Sequence, residues 1–169
     1  MKTRKKTIKW TVTALVLTVS ILAGFGQAID RAREKAEQIN CSNNLKQVGL
    51  AFRIWASSHG DQFPFNVPAK YGGSLESCAR GDNGFDTNSW KHFRLMANEL
   101  SRTKILVCPS DMSNKPAKDF VSFGSSNVTY QIHSGTNISD MNPSETLVRC
   151  PIHEIKVLCD GSVQMAGKK

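Results

Sequence analysis

Apolar and polar positions along this chain change their period twice before residue 60. From Trp10 to Ile29 there are 20 residues without a charge; as a helix this run would extend ~30 Å, about the hydrocarbon thickness of a bilayer. The apolar positions then thin to a stripe, first Ile29, Ala32, Ala36 and Ile39, then Cys41, Leu45, Val48, Phe52 and Trp55. Both sets have helical spacing, and the phase slips between Ile39 and Cys41. The positions between them include Arg31, Arg33, Glu34, Lys35, Glu37, Lys46 and Arg53, good helix formers that can stay in water. No proline falls between Lys2 and Gln62. The spacing therefore predicts one helix from about residue 8 to about residue 58, some 75 Å long. Ser57-Ser58-His59-Gly60 offers the stop, with Gly60 free to take the left-handed conformation after the last turn, and Pro64 bars resumption.

The remainder reads as short elements. Asp61 to Asp86 carries Pro64, Pro68, Gly72, Gly73, Gly81 and Gly84 and is expected to be irregular. Thr87 to Ser101 signals a second helix, with Asn88 or Ser89 as N-cap and Trp90, Phe93, Ala97 and Leu100 on one face. Lys104–Cys108, Asn127–Ile132, Glu145–Cys150, Ile155–Cys159 and Ser162–Met165 read as strands. Asp160-Gly161 between the last two is a hairpin signal. The fold class is α+β: a long N-terminal helix, half apolar and half amphipathic, laid on a small, mainly antiparallel sheet.

Charge divides the chain. Its net charge is +8, but Lys2, Arg4, Lys5, Lys6 and Lys9 lie in the first nine positions, and without them 17 basic residues face 14 acidic ones. No basic stripe interleaved with aromatics remains, so a nucleic-acid partner is not expected. The basic cap before the apolar run should stay in the cytoplasm, with Trp10 as an interfacial anchor at the inner face. Residues 1–29 are thus read as basic cap and membrane anchor, and 30–169 as a head outside the cytoplasm. A cleaved secretory signal, with Gly26 and Ala28 as small residues before the cut, is the alternative. Either route leads to an oxidising compartment, where Cys41, Cys78, Cys108, Cys150 and Cys159 are disulfide candidates with one left over. Cys150 with Cys159, flanking an expected hairpin, is the first pairing to test.

One resemblance is carried by several stretches together. R-A-R-E-K-A-E-Q-I-N-C-S-N-N-L-K-Q-V-G-L-A-F-R-I-W-A followed by D-Q-F-P resembles the post-membrane half of the helix in type IV pilin-like and type II secretion pseudopilin-like proteins, more narrowly those of planctomycetes and verrucomicrobia. S-W-K-H-F-R-L-M-A-N-E-L, K-I-L-V-C-P-S-D and V-L-C-D-G-S-V-Q are similar to further stretches of the same proteins. The resemblance spans about residues 30 to 165. It implies a pilin-like periplasmic head on a single-pass inner-membrane helix, with other pilin-like or secretion-system subunits, or copies of itself, as partners. In such precursors a basic leader and a Gly precede the apolar tract, which contains a Glu. Here Gly24-Phe25 lies near the end of the tract, and no Glu lies within Trp10–Ile29. The expected anchor is one that prepilin processing does not remove.

Candidate chemistry is sparse. Cys150-Pro-Ile-His153 with Cys159 offers a partial zinc ligand set. Cys108 with His133 or His153 offers a nucleophile and base. Asp111, Asp140 and Asp160 sit in turn-like settings as oxygen ligands, with Asp160 the candidate for calcium, which some pseudopilins hold near the C-terminus. Asn127 and Asn137 match glycosylation acceptors, read as ordinary residues in a bacterial protein. The expectation is a non-enzymatic, membrane-anchored structural or interaction subunit with no cofactor beyond that calcium. Leu45, Val48, Phe52 and Trp55 form its helix-packing and assembly face. The alternative is a secreted periplasmic module binding a glycan or small ligand through Phe65, Tyr71 and Phe85.

Overall fold

The structure, a computed structural model, describes residues 2–139 and 141–165, with side chains from Phe25 onward. It divides into two compact units, residues 1–36 and residues 37–169. The first helix, α1, spans Lys2–Ser57. Most of the expected Trp10–Ile29 anchor lies outside the residues whose side chains are described. Among the described residues, no helix is long and apolar enough to cross a membrane. Phe25 and Ile29 are both exposed.

Within the second unit, burial on α1 begins at Cys41 and follows Leu45, Val48, Phe52 and Trp55, each no more than 4% exposed. Ile39, the last position of the preceding stripe, is 47% exposed. The phase slip in the sequence is therefore the point at which the helix becomes part of the head's core. Phe52 is the centre of an aromatic cluster, with ring centroids 5.6 Å from Phe63, 6.2 Å from Phe65 and 6.1 Å from Phe93. Such edge and tilted contacts suit the ring quadrupole and add to area burial. The helix stops as expected. The N–H groups of His59 and Asp61 both donate to the Ala56 carbonyl, and Gly60 has φ +64°.

The sheet is a four-stranded antiparallel meander of β1 (Gln131–Ile132), β2 (Thr146–Arg149), β3 (Lys156–Leu158) and β4 (Val163–Gln164). Leu147 and Val148 are buried in succession because the β2–β3 register shifts between Thr146 and Val148, so Leu147 is the extra residue of a bulge. The hairpin at Asp160-Gly161 forms, with Gly161 at φ +82° and Val157 opposite Val163. α1 packs directly on this end of the sheet through Gly49.

Several elements depart from the spacing. Lys104–Cys108 is not a strand: Thr103–Leu106 forms a 3-10 turn. Its polar groups are satisfied singly, Thr103 Oγ1 by the Ala117 carbonyl and the Leu106 carbonyl by the Thr129 N–H, so burial needs no ladder. Asn127–Ile132 is extended only at β1, because Ser125–Asn127 turns, with the Asn127 side chain accepting from the Gly124 N–H and donating to the Lys115 carbonyl. Thr87–Ser101 holds two helices, α2 (Ser89–Leu95) and α3 (Ala97–Leu100), broken at Met96. The Asp61–Asp86 segment is irregular, with 3-10 turns at Pro64–Asn66, Ala69–Tyr71 and Leu75–Ser77. It nonetheless supplies Phe63 and Phe65 to the core, at 0% and 1% exposure.

Candidate metal centre

Three separate stretches bring thiols together. Cys41 comes from the buried stripe of α1, Cys108 follows the Thr103–Leu106 turn, and Cys150 follows β2 with His153 in the turn before β3. One ligand atom from each of Cys41, Cys108, Cys150 and His153 lies within 4.8 Å of all the others. The three cysteines are buried and His153 is half-buried. Both outer loops begin alike, C-P-S-D at residue 108 and C-P-I-H at residue 150. Proline fixes φ after each cysteine and starts a tight turn. In the first turn the Asp111 N–H donates to the Cys108 carbonyl at 2.9 Å, while the Cys108 N–H is held by Thr129 Oγ1 at 3.0 Å.

The imidazole has a defined tautomer. Ser110 Oγ donates to Glu37 Oε2 at 2.6 Å and lies 3.2 Å from His153 Nε2. With its own proton committed to Glu37, the hydroxyl accepts from Nε2–H. Nδ1 is then the ring nitrogen with the lone pair, and it faces Cys108 Sγ at 3.4 Å.

Tyr130 OH donates to Cys41 Sγ at 3.5 Å, and the Cys108 Sγ lies 3.4 Å from His153 Nδ1. Cys108 and then Cys41 beside it lower the pKa of the Cys150 thiol well below the usual range against the opposing effect of burial. Its neighbours move the other way. Cys150 pushes Cys108 up to about 11, and Cys108 and Cys150 raise Cys41. Burial, then the Cys41 charge, raises Tyr130, so its hydroxyl remains a donor. Three thiols and one imidazole lone pair aimed at a common centre can hold a thiophilic cation, or two of the thiols can oxidise to a disulfide.

The sequence expectations meet this geometry unevenly. Cys150 and Cys159 do not face one another. Cys150 donates its N–H to Ile155 at the turn end of the β2–β3 pair, whereas the Cys159 N–H reaches Glu145 at the far end. The strand pair between them spans roughly 10 Å, well beyond disulfide reach. The same register separates Cys159 from His153, so of the partial zinc set the structure brings Cys150 and His153 together and leaves Cys159 apart. Cys108 does meet His153, but it is 1% exposed with a raised pKa, features of a buried rather than an attacking thiol. His133 instead donates Nδ1–H to the Thr146 carbonyl and lies against Phe85. Cys78 is exposed.

The carboxylates considered for calcium lie apart. Asp160 accepts from the Ser162 N–H in its own turn, and Asp111 is occupied by Ser113, Asn114 and Thr129. Asp140 lies outside the described residues. Leu45, Val48, Phe52 and Trp55 pack within the chain, which leaves them unavailable as an assembly face. The aromatics named for a ligand cleft also separate. Phe65 is core, Tyr71 is exposed beside Lys70, and Phe85 carries the Arg149 guanidinium 3.7 Å above its ring.

A second polar cluster had no signal in the spacing. Buried Asp86 accepts from the Ala79 and Asn88 N–H groups, from Ser134 Oγ at 2.8 Å and from His92 Nε2 at 3.3 Å. Ser74 Oγ donates to His92 Nδ1 at 2.7 Å. These are the residue types of a hydrolase triad, but Ser74 is 5% exposed and Asp86 is engaged on every side. The cluster ties the Ser74–Ala79 loop, α2 and the segment after β1 to one another. Residues 37–169 thus form an α+β unit, a small antiparallel meander packed on the C-terminal part of α1, with a thiol–imidazole cluster drawn from α1 and the two Cys-Pro loops. Comparison with known proteins finds no matching family model, curated protein or solved structure.

Proposed function

We propose that the chain is a membrane-anchored, non-enzymatic, pseudopilin-like subunit of a type II secretion or type IV pilus-like system, single-pass in a bacterial inner membrane with its head in the periplasm. The observation that carries this reading is the build of α1. Its amphipathic part supplies the central side chains of the head core, Leu45, Val48 and Phe52, each fully buried, while the same helix extends N-terminally toward a 20-residue uncharged run behind a basic cap. A core built on the C-terminal part of α1 suits a structural or interaction role. The buried, fully bonded Ser74–His92–Asp86 cluster and the raised Cys108 pKa fit a head without a catalytic site.

Intact mass and N-terminal peptide mapping of the protein from bacterial membranes and periplasm test this. The expected result is a full-length chain in the membrane fraction, with the head digested by external protease only after the outer membrane is opened. A soluble periplasmic chain beginning near Ile29 would overturn the anchored-subunit reading in favour of a released binding module.

A further inference from the structure

We propose that Cys41, Cys108, Cys150 and His153 bind one zinc ion, a Cys3His centre that pins α1 to the two Cys-Pro loops of the head. The argument rests on four features. The first is the donor set: three sulfurs and one imidazole nitrogen, drawn from three distant stretches, are mutually within 4.8 Å. Zinc–sulfur bonds of ~2.3 Å and zinc–nitrogen bonds of ~2.0 Å set tetrahedral edges of about 3.8 Å or less, so the ligands close on the ion by shifts of about 1 Å or less. The second is the tautomer, for the Glu37–Ser110–His153 chain of hydrogen bonds leaves Nδ1 unprotonated on the side of the thiols. A metal-bound histidine characteristically has its other nitrogen fixed in this way.

The third feature is a donor on the sulfur that comes from α1: Tyr130 OH donates to Cys41 Sγ at 3.5 Å. Disulfide sulfurs are weak acceptors, whereas a thiolate held by a cation retains charge that this donor stabilises. The fourth is arithmetic. A disulfide between any two of the three cysteines leaves the third thiol and the oriented imidazole without a role, and only a four-coordinate ion uses all four. Thiolates with one imidazole select zinc over magnesium or calcium, which take oxygen ligands. Binding is balanced by proton release: all three sulfurs bind as thiolates, those still protonated give up their protons as three Zn–S bonds and one Zn–N bond form, and the centre has net charge −1. The half-buried His153 and the exposed Pro109 and Pro151 mark the side from which an ion enters.

The test uses the full chain extracted from membranes in mild detergent. One zinc per chain is expected by elemental analysis. The zinc should persist in Cys78→Ser and Cys159→Ser and be lost in Cys108→Ser and Cys150→Ser. Exchange of zinc for Co2+ in the unmutated chain should give the visible d–d bands of a tetrahedral site and the charge-transfer bands of thiolate ligation, a readout that does not depend on whether a variant folds. Alkylation followed by peptide mapping should modify Cys78 at once, and Cys41, Cys108 and Cys150 only after a chelator is added. A purified chain that takes up neither zinc nor Co2+, with a mass two hydrogens short and a peptide linking two of these three cysteines, would replace the metal with a disulfide and overturn the proposal. Zinc retained in full by Cys108→Ser and Cys150→Ser would overturn it as well.

Discussion

Gly49 of α1 lies so close to Val157 of β3 that a Cβ on it would stand 2.6 Å from Val157 Cγ1. The missing side chain is what lets the helix rest on the sheet, one residue after Val48 enters the core. Replacing Gly49 with Val should therefore lower stability despite the removal of a helix-weakening glycine. Overpacking of this kind costs about 1–3 kcal/mol, and chemical denaturation of the purified chain would measure it. Equal or greater stability would show that Val157 yields without cost.

Phe52 and Leu50 test which face of α1 belongs to the head. Phe52 is fully buried among Phe63, Phe65 and Phe93, and Leu50 is 58% exposed. Phe52→Ala should cost about 3–5 kcal/mol through lost contact and the cavity left behind. Leu50→Ala should change stability by no more than about 0.5 kcal/mol. Denaturation midpoints of the two variants decide the matter, and similar losses would mean that the stripe is misassigned.

The buried Asp86–His92 pair should give the head an acid sensitivity in two windows. Burial, opposed by Asp86 and aided by Lys91, lowers the His92 pKa in the folded state. The unfolded chain then takes up a proton that the folded chain refuses, so stability falls as pH drops below about 6.5, by at most about 1.4 kcal/mol per pH unit. Asp86 adds the second window. Burial would raise its pKa, but hydrogen bonds from Ser134, Asn88 and Ala79 outweigh this and hold it low. Its stabilisation is present above about pH 4 and is lost as pH falls through the folded value. His92→Gln should flatten the first window and retain the second. An unchanged slope between about pH 6.5 and 5 in that variant would assign the first window to another group.

These residues also mark what was legible in the sequence. Gly60 and Gly161 announced their turns because a positive φ is a local demand that glycine meets at once. The stripe from Cys41 to Trp55 was legible because helical period is local as well. The thiol cluster was not, for Cys41 kept phase with Leu45 and Val48 and so read as one more apolar position. Cys108 ended an apolar run that looked like a strand, and Cys150 was drawn toward Cys159 by nearness in sequence. The overlooked signal was the repeated Cys-Pro opening of C-P-S-D and C-P-I-H, two turns of one kind, each presenting a sulfur. Asp86 and His92 carried no signal, since a carboxylate and an imidazole in a loop and a short helix declare a partnership only when the chain between them is folded.

Ser110 provides the finest test of the cluster because it touches the ligand without being one. Its hydroxyl accepts from His153 Nε2–H and donates to Glu37, so Ser110→Ala leaves all four proposed ligands in place and removes only what fixes the ring. The imidazole is then free to rotate and to place its proton on Nδ1, which must be cleared before a metal can bind. Loss of such an outer partner lowers metal affinity about 10–100-fold. Competition for zinc with a chromophoric chelator would read this directly. Ser110→Thr, which restores the hydroxyl, should recover most of the affinity. Ser110 is only half-buried, so the zinc-free form of Ser110→Ala should unfold within about 0.5 kcal/mol of the parent. A loss of affinity without a comparable loss of apo stability separates a positioning role from a merely structural one, and unchanged affinity would mean that the Glu37–Ser110–His153 chain does not orient the ring.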